Sequence, residues 1–377
     1  MSDGAKHSLL SPSSSHRWIN CAPSARLTEN YPDARSGYAD EGTQAHAVAE
    51  AKLRYRIGRS DAPPICDDVE MDEHTDDYVA FVMEQLYGLS DPKVFVEQRV
   101  DCSNWVPECS GTCDALILSD GTLHVIDLKY GRGVKVDAEE NDQLRIYALG
   151  ALELFGFLYP IHTIRMSIFQ PRLANCCTWE VSREEIEKWA TLVLKPAADL
   201  AWCGKGDYKA GAHCQFCKAK AKCRERATVN MALAAYDFTE PALLEIDEIA
   251  LILGKIDELV AWASDVKDFA LAEALKGVRF DGWKVVEGRS NRKYTDETAV
   301  TEAVRQIGLD PYEHKILGVT AMATLLGKKR FEEMVGGFVE KPQGKPVLVP
   351  VTDKRQEINT TTAADDFADP IENEEDS

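Results

Sequence analysis

No run of about 18 apolar residues occurs in this sequence, so it offers no candidate membrane span. The first residues are polar and serine-rich, without the apolar stretch of a secretory signal. A cytoplasmic protein with no membrane contact is the expectation. No nucleotide-binding loop or helicase motif is present. Basic residues are outnumbered: 43 Lys and Arg face 63 Asp and Glu, for a formal net charge of −20. Spread evenly, that balance would argue against a nucleic-acid partner. It is not spread evenly. Seven acidic residues and no basic one stand between Asp365 and Ser377, while Lys218, Lys220, Lys222, Arg224 and Arg226 form a dense basic run. Eleven cysteines without a secretory segment point to metal binding or burial rather than disulfides.

A hydrophobic content of 45% supports a real core, and 377 residues suit one large domain or two ordinary ones. Helical periodicity is expected over about 40–56, with Ala45, Val48, Ala49 and Leu53 as its apolar stripe, and over 75–89. Residues 57–75 read as a loop. Residues 93–101 alternate as a strand that carries Glu97. Strands are also expected at 162–170 and 176–181. Ser182-x-x-Glu185 is a capping box opening a helix to about Trp202.

The stretch from Gly111 to Tyr147 carries the chemistry. Two β-rich runs flank Ser119-Asp120-Gly121-Thr122, a hairpin signal that puts Asp114 and Asp127 on partner strands. Asp127 and Lys129 leave one face of their strand, two residues apart. Gln143 and Tyr147, four apart, share a helix face, and Asp137-x-x-Glu140 offers a start for that helix. Taken alone, Asp127 and Lys129 also read as a structural ion pair. With Asp114 added, the group is costly to bury unless it is paired or holds a metal.

The ordered set Gly-x-x-Asp114, Asp127-x-Lys129 and Gln143-x-x-x-Tyr147 resembles the PD-(D/E)XK nuclease superfamily. It is most similar to the RecB-like branch and, within it, to an uncharacterised phage and prophage family. The resemblance spans roughly residues 8–228. It implies an α/β fold, a restriction-endonuclease-like core with a mixed sheet flanked by helices. It implies catalytic roles for Asp114, Asp127, Lys129, Gln143 and Tyr147, and Mg2+ or Mn2+ held by Asp114, Asp127 and His46. By itself a helical His46 is more often a capping or surface residue. Glu97 falls where that branch often has a glutamate, though a solvent-facing strand residue fits equally.

Cys214-x2-Cys217-x5-Cys223 is a metal-site signal, with zinc the default from spacing alone and Cys203, His213 or Cys21 as a fourth ligand. Resemblance to the iron–sulfur members of the branch implies a [4Fe–4S] cluster on Cys21, Cys214, Cys217 and Cys223, with Zn2+ as the alternative. The basic run from Lys218 to Arg226 would track DNA phosphates.

Beyond a linker at 229–242, a long helix is expected over 243–276. Its stripe of Ile246, Ile249, Leu253, Ile256, Val260 and Ala263 reads as core packing. Two β-like runs over 280–294, with Arg289, Arg292 and Lys293, and helices near 296–307 and 320–335 suggest a small α+β accessory domain. The expected organisation is thus a nuclease domain with cysteine cluster over 1–228, the accessory domain over 240–350 and an acidic, disordered tail over 353–377. The function expected from the resemblance is metal-dependent cleavage of linear single- or double-stranded DNA, exonucleolytic, in phage-type recombination or DNA processing. A phage single-strand-binding or annealing protein would be a further partner. The alternative is a non-catalytic DNA-end-binding or scaffold protein stabilised by its cysteine site.

Overall fold

A computed structural model describes residues 8–32, 37–62, 65–232, 244–287, 294–312 and 316–340, with the single positions 349, 353 and 356. Arg289, Arg292, Lys293 and nearly all of 353–377 lie outside the described residues. The chain divides into two compact units, Met1–Gly282 and Trp283–Ser377. Among the described residues no helix is long and apolar enough to cross a membrane.

In the first unit, α1 (Ser15–Asn20), α2 (Ser24–Leu27), α3 (Gly37–Arg56) and α4 (Val69–Glu84) precede β1 (Lys93–Asp101), β2 (Ser110–Ser119) and β3 (Thr122–Leu128). Then come α5 (Asp142–Phe155), β4 (Thr163–Gln170) and β5 (Asn175–Ser182). They are followed by α6 (Arg183–Trp189), α7 (Lys195–Cys203), α8 (Arg224–Met231) and the long α9 (Ile246–Leu275). The second unit has α10 (Glu297–Gln306), α11 (Val319–Leu326) and α12 (Lys328–Met334).

The five strands form one mixed sheet in the order β1-β2-β3-β4-β5. All neighbours are antiparallel except β3 and β4, which are parallel because α5 forms the crossover between them. Asp120 and Gly121 both have positive φ, at 49° and 77°, the two-residue turn that an Asp-Gly pair favours. That turn fixes the β2–β3 register, pairing Ser119 with Thr122.

Two apolar layers flank the sheet. On one side Leu116, Leu118, Leu123, Val125, Ile164 and Met166 pack with Leu144, Ile146 and Ala148 of α5. On the other, Ala115, Ile117, Ile126 and Leu128 pack with Ala49 and Leu53 of α3 and Tyr78, Val79 and Val82 of α4. The elements that carry His46, Asp127 and Gln143 are therefore anchored by core side chains.

Several element bounds differ from the sequence reading. The fourth helix starts at Val69 rather than near 75, because the Asp68 side chain caps it, accepting from Met71 N at 2.9 Å. The fifth starts at Asp142, not at Asp137. Asn141 is its cap, accepting from Leu144 N at 3.1 Å, and Glu140 has φ 53°, which no helix interior tolerates. The Ser182–Glu185 capping box is present. The helix it opens passes through a π-turn at Ala190–Leu194, just ahead of Pro196, whose missing N–H the wider turn accommodates.

The stripe of α9 is not core packing. None of its side chains is buried, and Ile246 is 78% exposed. The helix is tied to the first unit by charge instead: Arg226 donates to Glu258 and to Asp265, each at 2.6 Å, and Lys220 pairs with Asp265 at 2.7 Å. This unit therefore runs past the boundary expected at 228–240. Described residues 280–287 form no strand, residues 288–293 of the expected β-like runs lie outside the described residues, and regular structure in the second unit is helical among its described residues.

Candidate active site

Asp114 sits on β2 between the register pairs Val96–Ala115 and Gln98–Cys113, opposite Glu97. Its Oδ2 accepts from the backbone N of Leu128 at 2.7 Å. Its Oδ1 accepts from His46 Nδ1 at 3.1 Å, so α3 delivers the histidine directly to the β2 carboxylate. Glu97 has φ 51°, a left-handed conformation in mid-strand and an uncommon one for a residue with a Cβ. Such strain persists where the surroundings over-determine it, and functional sites are where it clusters.

Ligand atoms of His46, Glu97 and Asp114 all lie within 4.8 Å of one another. Burial first, then the charges of Asp114 and Glu50, push the Glu97 carboxyl up to about 7. Burial opposes protonation of His46, but the hydrogen bond to Asp114 and the fields of Asp114 and Asp127 outweigh it and raise its pKa. Both shifts mark a site with more negative charge than its own cations balance, as expected where a divalent ion binds.

Asp127 lies on the buried end of β3. Burial raises its pKa, and Lys129 opposes the rise. Its Oδ1 accepts from Gln143 Nε2 at 3.1 Å. Its Oδ2 forms an ion pair with Lys129 Nζ at 2.9 Å. Lys129 Nζ donates to Gln143 Oε1 at 2.9 Å, and Gln143 Nε2 also donates to Tyr147 Oη at 3.1 Å. Gln143 thus reads three groups at once, and the Asn141 cap fixes the helix turn that presents it. The Tyr147 phenol is raised above its ordinary range by burial, with Asp127 adding to it. Five of the sequence-predicted residues, with His46, form one polar cluster.

The sequence reading left Glu97 open and missed Glu50 and Tyr78. All three line the pocket beside His46 and Asp114. Glu50 sits one helical turn beyond His46, a spacing that could have flagged it. Tyr78, buried with an unpartnered hydroxyl, left no signal.

The cysteines gather at a second place. Cys21 follows α1, Cys214 and Cys217 lie in and after a short turn at Ala212–Phe216, and Cys223 caps α8. All four line one pocket with Arg17 and His213. Burial would raise the Cys21 thiol, but hydrogen bonds from His213 and the backbone bring it below its ordinary value. Burial raises that of Cys217. The Gly211 N–H donates to Cys214 Sγ at 3.4 Å. Four thiols with N–H support are a donor set that fits either a [4Fe–4S] cluster or zinc. Cys203 is exposed and stands outside this lining.

The basic run is used mostly inward. Arg226 is fully buried and doubly paired, so it is not available to a phosphate. Lys220 pairs with Asp265, and Lys222 lies over the Tyr31 and Phe269 rings. Lys218 donates to Tyr31 O at 3.3 Å, and Arg224 is exposed.

Among solved structures, one titled "Crystal structure of SSO0001" is similar at 13% identity and a TM-score of 0.22, with 56% of this chain and 96% of that chain covered. The family model described as "Protein of unknown function (DUF2800)" matches residues 7–356, and with nearly the whole sequence matched the chain belongs to that family.

Proposed function

We propose that this chain is a metal-dependent DNA nuclease with a PD-(D/E)XK core of the RecB-like kind, acting exonucleolytically in cytoplasmic, phage-type recombination or DNA processing. One observation carries the reading. His46, Asp114, Asp127, Lys129, Gln143 and Tyr147 come from four separate elements: α3, β2, β3 with the residue after it, and α5. Yet they form two bonded groups, His46 with Asp114 and Gln143 with Asp127, Lys129 and Tyr147, bridged by the Leu128 N–H that donates to Asp114. A structural ion pair needs none of the other four.

His46, Asp114 and Asp127 would hold Mg2+ or Mn2+. His46 and Asp114 form with Glu97 a group of ligand atoms within 4.8 Å of one another, a group to which Asp127 does not belong. When bound, such an ion lowers the pKa of a coordinated water and offsets charge on the scissile phosphate. Lys129, pinned between Asp127 and Gln143, presents a fixed positive charge to developing negative charge on a phosphate. Gln143 and Tyr147 keep that ammonium in place. The cysteine pocket would hold a [4Fe–4S] cluster, or Zn2+ in its stead, closing the N-terminal segment onto the stretch between α7 and α8.

The test is incubation of anaerobically purified protein with end-labelled linear and closed circular DNA, with Mg2+ or Mn2+. Release of nucleotides from linear DNA alone is expected, and Lys129→Ala should abolish it with the fold intact. Binding without cleavage, unaltered by Lys129→Ala, would instead make the chain a DNA-end-binding scaffold.

A further inference from the structure

The thiol pocket has a charge problem that the four cysteines cannot solve. Four thiolates around a doubly charged cluster or a zinc ion leave a net charge of about −2 in a partly buried site, and uncompensated buried charge is costly. Acidic side chains are missing from the described lining of that pocket, whereas Arg17 is part of it. Arg17 stands one helical turn before Cys21, whose backbone N donates to Arg17 O at 2.9 Å. Its Nη1 donates to Ser24 Oγ at 3.0 Å, and Ser24 is buried and lines the same pocket. Swinging this cation into solvent would break that hydrogen bond.

We propose that Arg17 is a positioning residue of the four-cysteine site: a fixed counter-charge to the metal group that Cys21, Cys214, Cys217 and Cys223 would hold. The inference rests on the reading of that pocket as a metal or cluster site. Burial lowers the Arg17 pKa, and the fields of Cys217 and Cys21 oppose that fall. For an iron–sulfur cluster Arg17 sets the potential, since reduction adds a negative charge that the guanidinium stabilises. The other basic residues of the lining are less suited. Lys220 already answers Asp265, and Lys209 is exposed and contributes its carbonyl to His213.

The experiment compares anaerobic wild type, Arg17→Gln and Arg17→Lys by metal and acid-labile sulfide content, by the rate of metal loss to a chelator at neutral pH, and by redox titration. Arg17→Gln keeps a polar group near Ser24 but removes the charge. It should bind the metal and lose it to the chelator at least tenfold faster than wild type. If the group is a cluster, the oxidised-to-reduced ratio at fixed potential should rise about tenfold, which is about 59 mV for one electron. Arg17→Lys should restore most of both. Equal chelator rates and equal potentials in a loaded Arg17→Gln would overturn the role of Arg17 alone. Wild type free of iron, sulfide and zinc would overturn the metal site and this inference together. Should Arg17→Gln come out unloaded, loading of Arg17→Lys supports the charge argument and failure of Arg17→Lys overturns it.

Discussion

Gly111 has no room for a methyl group. A Cβ there would come within 2.5 Å of Tyr147 Cε1 and 3.2 Å of Pro12 Cγ. Tyr147 cannot yield, because its ring is buried and its hydroxyl is held by Gln143. Gly111→Ala should cost about 1–3 kcal/mol, the usual range for overpacking, read from the urea midpoint. It should also loosen Gln143 and with it Lys129, so cleavage should fall further than stability does. Asp127→Asn separates the two properties. Burial and Asp114 both disfavour the Asp127 charge. Removing that charge should leave the metal-free melting temperature unchanged or higher while eliminating cleavage. A clear drop in melting temperature would mean that the carboxylate serves the fold rather than the chemistry.

Among the elements, legibility followed how local the signal was. The Asp120-Gly121 turn and the Ser182 capping box each lie within four residues, so both could be read directly. The start of α5 could not. Asp137 and Asn141 both suit a cap, and only the positive φ of Glu140 excludes the earlier one. Asn141→Ala should therefore cost about 1 kcal/mol of stability and lower cleavage through Gln143. The sheet hides another non-local feature. His124 Nε2 and Ser167 Oγ share a hydrogen bond of 2.8 Å, and Ser167 shares one of 2.7 Å with Thr178, linking β3, β4 and β5. Burial, aided by Arg165, depresses His124 to about 3. The unfolded chain takes up this proton near pH 6.5 and the folded chain does not, so stability falls as pH drops through 6.5 towards 3. By pH 4 the loss should be about 3 kcal/mol. His124→Gln should flatten the stability profile in that window.

At the scale of the molecule, the cysteines were legible because their spacing is a local code for three of them. The fourth came only through family resemblance, since nothing near Cys21 marks it. The outward stripe of α9 was misread because periodicity reports an apolar face, not what covers it. The long closure is also the strongest global prediction. Cys21 and Cys214 are nearly two hundred residues apart, so a metal group joining them constrains the unfolded chain on the order of 5 kcal/mol by loop entropy. Binding energy adds to that, because the unfolded chain has no such site. Cys21→Ser should lose the group and with it enough stability to favour aggregation. Cys203→Ser should change neither, since Cys203 is exposed and outside the pocket. An iron–sulfur cluster makes the anaerobic protein brown, oxygen-labile and restorable with iron and sulfide. Zinc makes it colourless, with one equivalent of metal and no sulfide. If Cys21→Ser keeps the full metal content, the N-terminal segment is not stapled to the 214–223 stretch, and His213, which already touches Cys21, becomes the fourth ligand.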